Sequence, residues 1–280
     1  LTTTEHRLAG LNTIWKTEHL LKTDEDVERY LSLPRDMVMP DLSHYAVVLE
    51  RLGERGVPLI DVADPLCIVA DLFEFGAFTL RAFTQTEQIV ALLDHVAPAV
   101  YEHLDYLLDH GLGPLYRIYG PEYATPPYLP PRFFERFVVR YTGPMIERIH
   151  AHGMFARLHC HGRLRQVLPM IVEMGADALD PVEAPPTGDI TLAEVKHLYG
   201  DRLCVMGNLQ LRDLETLPAD EMRALVRQTM AAGKPGGGFV IMPTASPINA
   251  DLAPVTARNY RIFIETALEC GVYASGGGCT

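Results

Sequence analysis

The chain has 280 residues, 48% of them hydrophobic, and its 24 Lys and Arg against 36 Asp and Glu leave a formal net charge of −12. That length supports one sizeable core, so a single domain over residues 1–280 is the simplest organisation, and the acidic balance argues against nucleic acid or an anionic membrane as a main partner, because either would be repelled. Five dispersed cysteines without a CxxC pair, no apolar run of about 18 residues and no basic-then-apolar N-terminus predict a reducing, cytoplasmic protein with neither a disulfide framework nor a membrane span.

From Leu11 to about Pro34 the pattern reads as a peripheral helix, with Thr23-Asp24-Glu25-Asp26 supplying a cap and an acidic first turn. Tyr45 to Leu49 is a weak strand candidate. Val57 to Val62 predicts a short buried strand, closed by the turn Ala63-Asp64-Pro65. Between Thr84 and His110 the apolar residues recur at intervals of three and four, which predicts an amphipathic helix stopping at Gly111.

Strands and helices then alternate. Strands are expected at Leu115 to Tyr119, Met154 to His159, Ala178 to Glu183, Leu203 to Gly207 and Phe239 to Pro243. The helices between and after them are Arg132 to His152, Leu164 to Met174, Leu192 to Tyr199, Glu221 to Ala232 and Pro254 to Glu269. Gly120 to Pro131 is too rich in proline for helix or sheet, and Gly233 to Gly238 reads as a flexible connection. Alternation of this kind predicts a parallel α/β sheet, and repeats of about 24 residues suit a TIM-type (β/α)8 barrel. Six strands are visible, so the first barrel units are expected to lie upstream of Leu1. A doubly wound open sheet is the alternative, but no GxGxxG follows the first strand.

In such barrels the chemistry sits where strands run into the following loops. His159 and His161, at i and i+2 on one strand, point to the same face, whereas Cys160 points to the helices and reads as filler. Glu183, ending the next strand, would join them as a third ligand. Two imidazoles and a carboxylate form a set that suits catalytic zinc with one position left open. Each histidine also has an ordinary reading as a hydrogen-bonding residue. Asn208 after Gly207 could meet substrate or cap its turn, Glu122 and Tyr123 could touch substrate or stiffen their loop, and Asp64 occupies a comparable rim position.

The run His159-Cys160-His161-Gly162, then Glu183-Ala184-Pro185-Pro186 with Gly188-Asp189, Val195-Lys196 and Gly207-Asn208, resembles the uroporphyrinogen decarboxylase superfamily, and more closely its branch of cobamide-dependent methyltransferases. The resemblance runs from about Gly10 to Gly271. It implies a β/α barrel whose zinc is held by a His-x-Cys pair, a glutamate and a late cysteine. His159 matches the histidine, His161 stands in place of the first cysteine, Glu183 matches the glutamate, and Phe239 stands where the late cysteine is expected.

A thiolate-poor site of this kind suits polarising an oxygen better than activating a thiol. The resemblance therefore implies a zinc methyltransferase that acts on a small methylated, for instance methoxy, donor. The acceptor would be a corrinoid on a partner protein or a similar group, and a homodimer is one assembly open to the chain. Decarboxylation of a porphyrinogen, with Arg117 and Arg157 holding carboxylates, is the enzymatic alternative; a catalytically silent ligand-binding barrel is the third reading.

Overall fold

The computed structural model describes residues 1–34 and 38–273. Two short strands open the chain, β1 (Thr4–Arg7) and β2 (Ile14–Glu18). Six longer-range strands follow: β3 (Leu59–Ala63), β4 (Leu115–Tyr119), β5 (Phe155–Cys160), β6 (Ala178–Pro181), β7 (Cys204–Leu209) and β8 (Phe239–Pro243). The described residues fall into two compact units, with three of these strands in each.

The first unit comprises Leu1–Glu5, Lys16–Cys160 and Gln166–Asp177. Its strands β3, β4 and β5 are parallel, with Leu59 opposite Leu115 and Leu115 opposite Phe155. The same register aligns Ala63, Tyr119 and His159 in a row at the C-terminal ends. Helix Thr86–Asp109 buries Ile89, Leu92, Leu93, Val96, Val100, Leu104, Leu107 and Leu108, and it packs on helix Pro65–Asp71. Each fully buried leucine or isoleucine contributes about 1.5–3 kcal/mol relative to exposure, so this stripe holds the helix despite Pro98 in its middle.

The second unit comprises His6–Trp15, His161–Arg165 and the chain from Ala178 onward. Strand β6 is parallel to β7, and β7 to β8, with Val205 opposite Phe239 and Asn208 opposite Met242. Its core gathers Leu209, Leu214, Met222, Val226, Met230 and Ile262, with Phe239 and Ile241 packed against it. At Gly233 an added Cβ would lie 2.6 Å from the Phe239 ring, so only glycine allows this helix to seat on β8. Phe239 is thus a core residue on the helix side of its strand.

Several sequence expectations change. Leu11 to Glu18 contributes a strand, and the capped helix begins only at Asp24, after the Thr23–Asp26 capping box. Tyr45 to Leu49 lies inside helix Ser43–Leu52. Helices Pro65–Asp71 and Phe75–Thr84 escaped the periodicity because they are short and apolar on more than one side. The proline-rich stretch carries a 3-10 turn, Pro121–Ala124, and the start of a helix at Pro131, since proline is tolerated in a first turn. Gly236, Gly237 and Gly238 all have positive φ, as an αβ connection built on glycine requires. Strand β5 ends at Cys160 and β6 at Pro181, so His161 and Glu183 stand just beyond strands rather than within them.

Candidate metal and substrate site

The first unit carries a buried acid at its strand ends. Asp64 follows β3 and caps helix Pro65–Asp71, accepting from the Cys67 amide at 2.7 Å, with proline in its usual place at the first helical position. Its other oxygen accepts from the Thr142 hydroxyl at 2.9 Å. The residue is fully buried, and burial is the main reason that its carboxyl is pushed up to about 8; the nearby Glu122 charge acts in the same direction. The carboxyl therefore carries its proton at neutral pH. Cys67 beside it is a thiol held well above its ordinary range by burial, which makes it inert.

Gly120 connects β4 to the turn that carries Glu122. Its φ of +128° is in the region that favours glycine, and a Cβ there would lie 2.0 Å from Asp64 Oδ1. The Gly120 amide donates to Glu122 Oε2 at 2.9 Å, which folds the glutamate side chain back over the strand end. Glu122 and His159 are both half-buried. His159 is aligned with Tyr119 by the β4–β5 register.

His161 follows His159 by two residues, so chain connectivity keeps the imidazoles together. Within the first unit, Glu122 and His159 each offer a ligand atom within 4.8 Å of the other. The geometry thus brings one sequence-predicted ligand, His159, to a carboxylate expected from the sequence to touch substrate, and covalent spacing keeps His161 close to His159.

The third predicted ligand, Glu183, places an oxygen 3.9 Å from His161 Nδ1. Its turn is built unusually. Val182 has a φ of +38°, the single positive-φ residue other than glycine among those described. The Asn208 amide donates to the Val182 carbonyl at 3.0 Å, and Gly207 lets β7 approach closely, since a Cβ there would be 2.3 Å from the Pro181 carbonyl oxygen. Gly188 closes the other side, where a Cβ would be 2.0 Å from the Glu183 carbonyl oxygen. The strand alternation used to aim Glu183 breaks at Val182, so backbone contacts decide where the carboxylate goes.

Tyr123 is half-buried between the rings of Phe75 and Phe78, with centroids 6.1 and 6.3 Å away, and burial raises its phenol above the ordinary range. It therefore has a packing role on this side. Cys160 is fully buried, as strand alternation predicts. Cys67, Cys160, Cys204 and Cys270 are free thiols, and Cys279 lies outside the described residues. Arg117 and Arg157 face each other across β4 and β5; Arg117 pairs with Asp61 at 3.3 Å and Arg157 is buried. Sequence reasoning missed the structural weight of Asp64, although an Asp-Pro pair at a strand-to-helix junction is a cap signature.

No helix among the described residues is long and apolar enough to cross a membrane. None of the curated proteins matches the sequence. Among solved structures, a methyltransferase from Methanosarcina mazei superimposes with a TM-score of 0.72 at 16% identity, over 96% of this chain and 76% of that one. A Streptomyces avermitilis protein described as a candidate orotidine 5'-phosphate decarboxylase reaches only 0.37 at 13% identity, over 80% of this chain and 76% of that one, too low to bear on the fold. The family model described as uroporphyrinogen decarboxylase (URO-D) matches residues 16–259. With that match covering most of the chain, and parallel β/α units of the barrel type beneath it, the chain belongs to the uroporphyrinogen decarboxylase (URO-D) family.

Proposed function

We propose that this family member is a metal-dependent methyltransferase that moves a methyl group from a small methylated donor, such as a methoxy compound, to a corrinoid or similar acceptor. The observation that carries the reading is that Glu122 and His159 offer ligand atoms within 4.8 Å of each other, with His161 two residues further along the chain. The likeness in fold to a methyltransferase from Methanosarcina mazei supports the class. The donor set fits zinc, whose bonds to imidazole and carboxylate are about 2.0–2.2 Å long; that requires only a modest closing of three side chains, none of them fully buried.

Bound zinc would supply Lewis acidity toward an oxygen or comparable atom beside the migrating methyl, making that group a better leaving group. Glu122, His159 and His161 would hold it, and Glu183 would face His161. Glu122 is pre-set for this by the Gly120 amide, and the neutral Asp64 behind it adds no second negative charge that would compete for the cation. The donor then needs only to be oriented, a task that falls to groups at the strand ends.

Metal content of the purified protein and of His159→Ala and His161→Ala tests the reading. One zinc per chain is expected in the parent and less than a tenth of that in either variant. Equal metal content in all three would sink it, as would methyl transfer from a methoxy donor that persists in both variants.

A second reading, decarboxylation of a porphyrinogen-like acid without metal, is favoured by Arg117 and Arg157 standing opposite each other two rows below Tyr119 and His159. Carbon dioxide release that survives chelator treatment but is lost in Arg157→Ala would establish it instead.

A further inference from the structure

We infer that Asn208 is a positioning residue, which acts on the metal site through the backbone of Val182 and the carboxylate of Glu183 and has no direct contact with substrate. The inference rests on the metal reading above and assigns a role which that reading leaves open.

Val182 is β-branched and fully buried, yet its φ is +38°, a conformation that such residues avoid. A conformation of this kind persists only when its surroundings over-determine it. The surroundings here are specific. The Asn208 amide donates to the Val182 carbonyl at 3.0 Å. Gly207, the residue before Asn208, admits the Pro181 carbonyl to a distance that any side chain would forbid. Gly188 does the same for the Glu183 carbonyl, and its own amide donates to Ala184 at 3.1 Å. Together these contacts hold both ends of a turn that carries one acidic side chain, Glu183.

That side chain faces His161 Nδ1 at 3.9 Å, and only 16% of it is exposed. A carboxylate beside one ring nitrogen sets the orientation of a histidine that ligates through the other. Without the Asn208 donor, Val182 loses what holds its φ, the turn relaxes, and Glu183 swings off the imidazole. The ligand itself remains, but it is less well aimed.

The test is cobalt(II) titration of the purified full chain, followed by the visible absorption of the bound ion, with thermal unfolding of the metal-free proteins as the control for folding. Asn208→Ala and Glu183→Ala should each weaken cobalt binding by about tenfold, the lower end of what outer-shell partners of metal ligands contribute. The double variant should bind no more weakly than Glu183→Ala alone, because the two residues act in series.

Losses that multiply in the double variant, or cobalt binding by Asn208→Ala equal to the parent's, overturn the inference while leaving the metal reading intact. A parent protein that binds no cobalt overturns both. Should Asn208→Ala fail to fold, Asn208→Leu, which keeps the shape and removes the amide, takes its place in the same cycle.

Discussion

Glu122 and Glu183 both stand just beyond the C-terminal end of a parallel strand, and their surroundings control them in opposite ways. Glu122 is backed by material: a fully buried neutral acid, a glycine with no room for a methyl group, and a hydroxyl from a third element. Glu183 is held by conformation, through a left-handed valine, one side-chain hydrogen bond and two glycines that admit carbonyl oxygens. Packing tolerates little change and resists through stability. A strained turn tied by one amide can be released at small cost to the fold, so its failure shows in function first.

The largest effect should come from Gly120→Ala. Its positive φ and the overlap with Asp64 each cost about 1–3 kcal/mol, so urea unfolding should show a loss of roughly 2–6 kcal/mol. A loss below about 1 kcal/mol would mean that the packed half yields as easily as the strained half, and the contrast would collapse.

Thr142→Val comes next, since it removes the donor to the fully buried Asp64. About 1–3 kcal/mol of stability should disappear, the cost of an unsatisfied buried polar group. Asn208→Ala, by contrast, should lose only about 0.5–1.5 kcal/mol in the metal-free protein, the worth of one ordinary hydrogen bond. If calorimetry ranks Asn208→Ala above Thr142→Val, the second half is held by packing too.

Asp64→Asn sharpens the comparison through pH. The folded-state value of about 8 lies above the ordinary carboxylate range, so this acid stabilises the fold most at low pH and loses that contribution as pH rises from about 4 through about 8. The parent's advantage over the variant should therefore shrink with rising pH in the metal-free protein. Below about pH 4 the two should differ by less than about 1 kcal/mol, because a protonated carboxyl and an amide offer similar partners. An advantage that grows with pH would show that Asp64 is ionised in place.

The smallest effect belongs to Glu194, which accepts from Arg165 and Thr191 on the exposed surface and is held down at about 2. Its contribution is present above the ordinary carboxylate value and disappears as pH falls through about 2. Glu194→Gln should remove that acid-range dependence and leave stability near neutral pH almost unchanged, as unfolding curves between pH 2 and 5 would reveal.

Much of this was legible in the chain. Strands at Leu115, Phe155, Ala178, Cys204 and Phe239 were readable because apolar runs bounded by glycine and proline need no partner to be recognised. Cys160 is buried, in keeping with strand parity, and HxH spacing keeps His159 close to His161. The same parity ran the strand on to Glu183, whereas it ends at Pro181 and the backbone turns at Val182. Glu122 was placed at the rim by its loop, yet nothing local announced that the Gly120 amide would fold it toward the histidines.

The amino-acid sequence by itself determined the alternation of strand and helix, the rim on which polar groups gather and the pairing of the two histidines. All three follow from periodicity and covalent spacing, which act over a few residues. Tertiary structure alone decided that Asp64 is buried beneath Gly120 with a hydroxyl from Thr142, 78 residues away in the chain, and that Asn208 reaches back 26 residues to hold Val182. Those contacts depend on which elements approach within a few ångströms of one another, and neither hydrophobic pattern nor turn chemistry carries that distance.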